Sequence, residues 1–349
     1  MEQKVKFGII GTGAIAAMHA QALNASSNAE LVAVFDKVTE RAAKFAGEYN
    51  VRAVNDFETF LADPEIEAVT IATPTGIHGL VALPSAKAGK HILCEKPLDT
   101  TLEKTDEIIR ACEENNVVLS AVFQSRFGSA VQEIKKAVDA GRFGKMVLAN
   151  AHIHWFRSQE YYDSATWRGT WELDGGGALM NQSIHNIDLL LYLNGDPAEV
   201  FAYTDTLTHS GIEVEDNAVA VIKFKNGSLG TIEASTSCAP GFPRRLELCG
   251  STGSALLEDD CIKRWTFAEE SPEDEDIRAK YADGENMKGG SGDPMAISYE
   301  GHRRQIQDLA KAVISGKNAK LSGREGRRAV QLICGIYESA KTGKPVKFS

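Results

Sequence analysis

A lysine that follows a short apolar run, and a histidine on a glycine-led helix, are the residues of this chain best suited to moving protons. Glu95-Lys96-Pro97 directly follows the run 91–94. Desolvation disfavours a charged ammonium, so in a dry cleft Lys96 would accept a proton or polarise an alcohol or carbonyl oxygen. Pro97 permits a cis Lys96–Pro97 bond, which would fix the direction of the lysine. The second group is Gly175-Gly176-Gly177 followed by Asn181, His185 and Asp188. Helical spacing sets the last three on one face, which would serve as a proton relay or would simply be satisfied within an interface. The glycines permit close backbone packing, or merely break the preceding loop.

A third feature says what these groups would act beside. In Gly11-Thr12-Gly13-Ala14-Ile15-Ala16 the two glycines allow a tight turn and close approach of backbone to a pyrophosphate. The anion would sit on the positive end of the helix that Ala14 and Ile15 begin, with Ala16 at the third glycine position. Such a turn alone is a weak signal, and its context makes it specific: strand 5–10 precedes it, a helix to 23 follows, and strand 30–35 ends in Asp36. Asp36 would accept hydrogen bonds from both adenosine ribose hydroxyls and repel a 2′-phosphate, which favours NAD over NADP. Arg41, one turn into the next helix, would soften that discrimination or lie there as a solvated charge.

The elements that must hold these groups fall into two patterns. Strands 68–72, 91–94 and 117–122 lack polar alternation and are separated by helices 39–49, 76–88 and 101–115, which implies a parallel sheet covered on both faces. Beyond Phe123 come a helix at 128–140, an alternating strand at 145–156 and a helix near 178–193. Further strands are expected at 198–208, 216–225, 228–237, 244–249 and 253–258, with an Asn226-Gly227 turn, which reads as a mostly antiparallel, partly open sheet. The acidic, Gly-rich stretch 268–294 reads as a mobile loop, and helices 300–315 and 323–341 close the chain.

His152 and His154 share one face of strand 145–156; with no clear carboxylate or Cys accompanying them they read as substrate contacts, and no metal is expected. Around them, Trp155, Arg157, Tyr161, Tyr162, Trp167 and Arg168 suit the C–H faces and hydroxyl rim of a sugar. Arg157 would equally meet a carboxylate or phosphate substituent.

Composition bounds the rest. With 349 residues, 43% apolar and 25% charged, the chain is a folded protein long enough for two domains. Its 38 basic against 48 acidic side chains leave −10, the wrong sign for neutralising nucleic-acid phosphates. Six cysteines without C-x-x-C spacing read as reduced thiols in a cytoplasmic protein, and no apolar run approaches the roughly 18 residues of a membrane span. Lys4 and Lys6 before apolar 7–18 imitate a secretory leader, against which the glycine spacing argues.

Together, Gly11-x-Gly13-x-x-Ala16, Ala72-Thr73-Pro74-x-x-x-His78, Ala88-Gly89-Lys90-His91, Glu95-Lys96-Pro97 and Gly175-Gly176-Gly177 with His185 and Asp188 resemble the Gfo/Idh/MocA family. That family includes glucose-fructose oxidoreductase, inositol dehydrogenase and related sugar dehydrogenases, and the similarity runs in order to the ending 337–344. The resemblance implies an α/β protein: a doubly wound, NAD-binding Rossmann domain at 1–123, and a substrate-binding and oligomerisation domain at 124–349 with an open, mostly antiparallel sheet. It implies hydride exchange between NAD and a secondary alcohol or ketone of a sugar, cyclitol or sugar derivative, in a homodimer or homotetramer. Lys96 and His185 would be the catalytic pair, with Asn181 beside them. Thr73, Pro74, His78, Glu95, Gln124, Trp167 and Arg168 would lie along the cofactor, and Arg126 would enter the cleft with Gln124. One departure stands out: the family usually has Asp where this chain has Asn181, and an amide cannot act as a carboxylate base. The proton acceptor is therefore His185 or Lys96, with Asp188 orienting His185 or merely structural. Two other readings fit the same residues: a dinucleotide-binding regulator without chemistry, and an enzyme whose retained NAD assists elimination or glycoside cleavage.

Overall fold

Short strands with no polar alternation can be buried only between two layers of helices, and the first half of the chain is built that way. The computed structural model describes residues 3–282 and 298–349. It divides into two units, Met1–Gln124 with Tyr299–Arg327, and Ser125–Ser298 with Arg328–Ser349.

In the first unit the order is β1 (Val5–Ile10), α1 (Ala14–Asn24), β2 (Ala29–Phe35), α2 (Thr39–Tyr49), β3 (Arg52–Ala53), α3 (Phe57–Ala62), β4 (Ala68–Ile71), α4 (His78–Lys87), β5 (His91–Cys94), α5 (Leu102–Glu114) and β6 (Leu119–Ala121). The sheet runs β3-β2-β1-β4-β5-β6 with every pairing parallel. The chain winds outward from β1 to β3 and then returns to β4 on the other side of β1. At that reversal the carboxyl ends of β1 and β4 open a crevice. β3 and α3 went unread because two exposed residues and one and a half turns are too short to carry a period.

The second unit contains α6 (Ser129–Asp139), β7 (Met146–His154), α7 (Gln159–Asp163), a wide π-type turn at Ala178–Ser183 leading into α8 (Ile184–Asn194), β8 (Pro197–Asp205), β9 (Asn217–Phe224), β10 (Leu229–Ser235), β11 (Arg245–Gly250), β12 (Gly253–Glu258), β13 (Cys261–Phe267) and α9 (Asp274–Tyr281). Its sheet is antiparallel except where β10 pairs with β7. Alternation is clean: on β9, Ala218, Ala220, Ile222 and Phe224 are buried while Val219 and Val221 stand on the open face. Such alternation marks a sheet packed on one side.

The stretch 268–294, expected as a loop, contains α9. Asp274 at its start is buried and accepts hydrogen bonds from Arg142 Nη1 (2.7 Å) and Trp265 Nε1 (2.7 Å), and this anchored carboxylate stabilises the positive end of the helix. The remainder, 283–294, lies outside the described residues.

After it come α10 (Glu300–Ser315), α11 (Gly323–Thr342) and β14 (Val346–Lys347), the last pairing with β8. α10 belongs to the first unit: Ile306, Leu309 and Ala310 share one core with Ala16, Ala20 and Leu23 of α1 and Phe7 and Ile9 of β1. A linear division at 123 assigns that helix to the other domain, because burial against a distant helix leaves no mark in local sequence. Among the described residues no helix is long and apolar enough to cross a membrane.

Candidate active site

The glycine turn follows β1 directly. Gly11 has φ +90, and a Cβ there would lie 2.8 Å from the Ala72 carbonyl oxygen, so only glycine fits between the ends of β1 and β4. Gly13 is the N-cap of α1 and has open space where a side chain would stand. The backbone N–H groups of Ala14 and Ile15 therefore start a helix with its positive end uncovered. Asp36 leaves β2 with Oδ2 accepting from both the amide and the hydroxyl of Thr12 at 2.8 Å, and Oδ1 accepting from Val38 N. It braces the turn as well as standing where a ribose would be read. Arg41 is exposed on α2.

Thr73, Glu95 and Gln124 follow the carboxyl ends of β4, β5 and β6. Thr73 Oγ1 and Gln124 Oε1 are buried polar atoms without a hydrogen-bond partner, groups that a bound ligand would satisfy. The uncovered helix end, the left-handed glycine and these two orphaned oxygens fit a dinucleotide. Pro74 stands beside Thr73 in the same turn. His78, expected against the cofactor, is instead buried: Nδ1 lies 2.9 Å from Pro97 O and Nε2 3.0 Å from Thr73 O. It ties two strand-end segments together, and the Lys96–Pro97 peptide between them is cis.

Glu95 departs from expectation in the same way. It is buried with Oε1 2.8 Å from His19 Nε2 and 3.7 Å from His302 Nε2. Burial raises its pKa, but hydrogen bonding to the two histidines outweighs this and holds it well below the usual range. Neither histidine was singled out from sequence. The signal was available: His19 falls on the buried stripe of α1 with Ala16, Ala20 and Leu23, where a polar side chain needs a partner.

In the second unit Gly175-Gly176-Gly177 permits close packing. A Cβ on Gly177 would meet the Glu215 carbonyl oxygen at 1.9 Å, and one on Gly176 the Tyr337 hydroxyl at 2.1 Å. The Glu215 carboxylate accepts from Gly177 N (3.1 Å), Leu179 N (2.8 Å) and the Tyr337 hydroxyl (2.9 Å). It caps the turn that leads into α8. Burial pushes its pKa up to about 7 against the pull of those donors.

Asn181 and His185 are both partly exposed on this segment, which begins as a π-type turn, a rare form that often marks functional positions. Asn181 Nδ2 donates to the buried Asp174 carboxylate, and Asn181 Oδ1 accepts from Gln182 Nε2 at 2.8 Å. Gln182 also donates to the Tyr161 hydroxyl (2.9 Å) and accepts from Arg157 Nε (3.0 Å). Arg157 is buried against the rings of Trp155 and Tyr161, and desolvation lowers its pKa. Arg168 Nη1 reaches the Tyr161 hydroxyl at 2.5 Å, its guanidinium lies over Tyr161 and Trp167, and its Nε is buried without a hydrogen-bond partner. Asp174 and Gln182 were missed because each looks unexceptional in sequence.

Three expected substrate contacts have protein partners of their own. Arg126 is buried in a bidentate pair with Asp188, Nε to Oδ2 and Nη2 to Oδ1 both 2.7 Å, and stacks on Tyr192. Asp188 therefore holds Arg126, a strong local pairing that the His185 spacing did not reveal. Tyr162 is buried with its hydroxyl 2.9 Å from Thr236 Oγ1. His154 sits with His152 on the open face of β7, opposite the buried Ala149, Ala151 and Ile153, and a carboxylate does accompany the pair: Glu233 of β10, 2.9 Å from His154 Nε2.

Comparison with known proteins places this geometry. The oxidoreductase-family model with an NAD-binding Rossmann fold matches residues 5–123, and the GFO/IDH/MocA C-terminal domain model matches 131–256. The WlbA dehydrogenase of Bordetella pertussis, solved with NADH and UDP-GlcNAcA, is 32% identical with TM-score 0.88, covering 99% of both chains. The chain belongs to the Gfo/Idh/MocA family. Other members include myo-inositol 2-dehydrogenase of Thermotoga maritima, 28% identical over 98% of each chain. Levoglucosan dehydrogenase of Pseudarthrobacter phenanthrenivorans is 28% identical over 90% of this chain and 86% of its own. This Gfo/Idh/MocA protein is an NAD-dependent oxidoreductase acting on CH–OH groups of sugar-like molecules.

Because Asp188 is buried, removing its partner leaves an uncompensated charge. Arg126→Ala is expected to cost about 3–5 kcal/mol in denaturant unfolding, with Arg126→Met/Asp188→Leu recovering most of it. A single variant within 1 kcal/mol of the parent, roughly the error of the method, would contradict the pairing.

Proposed function

We propose that Lys96 and His185 are the catalytic pair of a dehydrogenase whose substrate is a sugar derivative, with Lys96 polarising the reacting oxygen and His185 exchanging its proton. NAD, when bound, takes the hydride from the carbon or returns it. Gly11, Gly13, Ala14 and Ile15 would receive its pyrophosphate, Asp36 its adenosine ribose, and Thr73, Pro74 and Gln124 its nicotinamide end. Trp167 and Arg168 remain candidates for the cofactor. His185 suits the proton because an imidazole can both accept and donate one, and Asn181, fastened to Asp174, orients the turn without acting as a base.

The observation that carries the substrate class is the pair of guanidiniums around Tyr161, linked through Gln182 to Asn181. A buried guanidinium, Arg157, and a half-buried one, Arg168, beside aromatic faces favour a sugar that also bears a carboxylate or phosphate. The Bordetella relative was solved with a molecule of that chemistry, UDP-GlcNAcA. Absorbance of reduced nicotinamide is the test, with NAD and a panel of inositols, neutral sugars, uronic acids and sugar nucleotides. NADH is expected with an anionic member and a weaker response with neutral ones; the reverse ranking would overturn the anionic class. Lys96→Ala is expected to lose about 100-fold or more in kcat while still binding NAD, and unchanged turnover would remove the lysine from the mechanism.

The open sheet face supports self-association into a homodimer or homotetramer. Tyr203 is 71% exposed and Val219, Val221 and Leu229 are 53%, 54% and 55% exposed, apolar side chains that a second copy of the chain would cover. Light scattering is expected to give a multiple of the chain mass and Val221→Asp a smaller one; a wild-type monomer would contradict this. The six cysteines, among which no disulfide forms, and the sugar chemistry favour the cytoplasm.

A further inference from the structure

A buried carboxylate adjoining the proposed catalytic lysine needs a reason to be there. Glu95 is enclosed by α1, β4, the segment after β5 and α10, all within the first unit. Four groups meet around it in a definite order. Thr70 Oγ1 on β4 lies 3.1 Å from His19 Nδ1. His19 Nε2 lies 2.8 Å from Glu95 Oε1. Lys96 donates its backbone N–H to Glu95 Oε2 at 3.1 Å. His302 covers the carboxylate from α10, Nε2 at 3.7 Å from Oε1, with its ring edge-on to that of His19 at 5.1 Å. The directions are consistent. When the Thr70 hydroxyl donates to Nδ1, that nitrogen is the acceptor of a neutral imidazole, so Nε2 carries the proton and donates to the carboxylate.

We infer that Thr70, His19 and Glu95 form a rigid strut that positions Lys96 relative to the cofactor, with His19 as the key positioning residue. The strut begins on α1, whose first turn at Gly13 receives the dinucleotide, and ends on the peptide N–H of Lys96. One helix thus references both the cofactor and the lysine. A buried charge makes the connection stiff, because the carboxylate loses its compensation if it turns away from His19. Glu95 serves Lys96 from behind, on its backbone side, and belongs to the lysine's support rather than to the surface that meets the cofactor.

This inference rests on Lys96 being the residue that acts on the substrate oxygen, and its test separates the two claims. Three readouts are taken on the intact protein: kcat, NAD affinity by fluorescence titration without substrate, and the pH dependence of Lys96 acetylation by acetic anhydride, followed by peptide mass spectrometry. His19→Leu is expected to lower kcat about tenfold or more through misplacement of the lysine, with NAD affinity within about threefold. It is also expected to move the midpoint of the Lys96 acetylation profile. His19→Gln, whose amide can donate from nearly the Nε2 position, is expected to restore both. Thr70→Val keeps the shape and removes only the hydroxyl, so it carries the same test if His19→Leu does not fold; an intermediate loss is expected. Unchanged kcat and acetylation profile in His19→Leu or Thr70→Val would overturn the strut. A His19→Gln protein as impaired as His19→Leu would also overturn it, since the donor would then be irrelevant. Lys96→Met run in parallel tells the claims apart: retained turnover there defeats the lysine's role, whereas the acetylation profiles of the other variants still decide the strut.

Discussion

A carboxylate removed from water costs several kcal/mol unless donors surround it, and this protein uses that constraint at every functional segment. Asp36 draws in the Thr12 amide and hydroxyl and so closes the glycine turn. Glu95 is held by His19 and takes the amide of Lys96. Glu215 gathers the N–H groups of Gly177 and Leu179 at the entrance to the helix bearing His185. Asp174 fastens Asn181, and Asp188 fastens Arg126. Glu95, Glu215, Asp174 and Asp188 are buried and Asp36 is half-buried, so each segment is tied to an acceptor that cannot simply turn into solvent.

The architecture supplies what such anchors need. Parallel strands buried on both faces bring β1, β4, β5 and β6 to a common edge, and the residues following them carry the glycine turn, Thr73, Lys96 and Gln124. α10 returns from the far end of the chain to seal the first unit, bringing His302 to Glu95. The second unit contributes a sheet with one packed face and one open face. Its packed side supports α8, while its open side displays Tyr203, Val219, Val221 and Leu229.

What could be read from sequence was what repeats or turns locally. The glycine turn with Asp36, the strand-helix alternation, and the antiparallel strands after Phe123 all have short-range patterns. So did the sharing of one strand face by His152 and His154, although that this face is the open one came only from the structure. Partners contributed from a distance were not legible. Asp188 meets Arg126 across 62 positions and Glu215 meets Gly177 across 38, and neither pairing has a local period. The Asn181 substitution was visible as a departure, but the carboxylate of Asp174 against it was not, because the π-type turn between them is set by packing rather than by propensity.

The claim that buried carboxylates hold the site can be measured at the carboxylates themselves. The measurement is a pH titration of glutamate side-chain carbon shifts in labelled protein, with Glu95→Gln and Glu215→Gln used for assignment. The account expects Glu215 to titrate near pH 7, and Glu95 to stay ionised well below the ordinary value of 4.5. Glu95 titrating at or above that ordinary value would mean that His19 does not hold its charge, and the account of how Lys96 is positioned would fail.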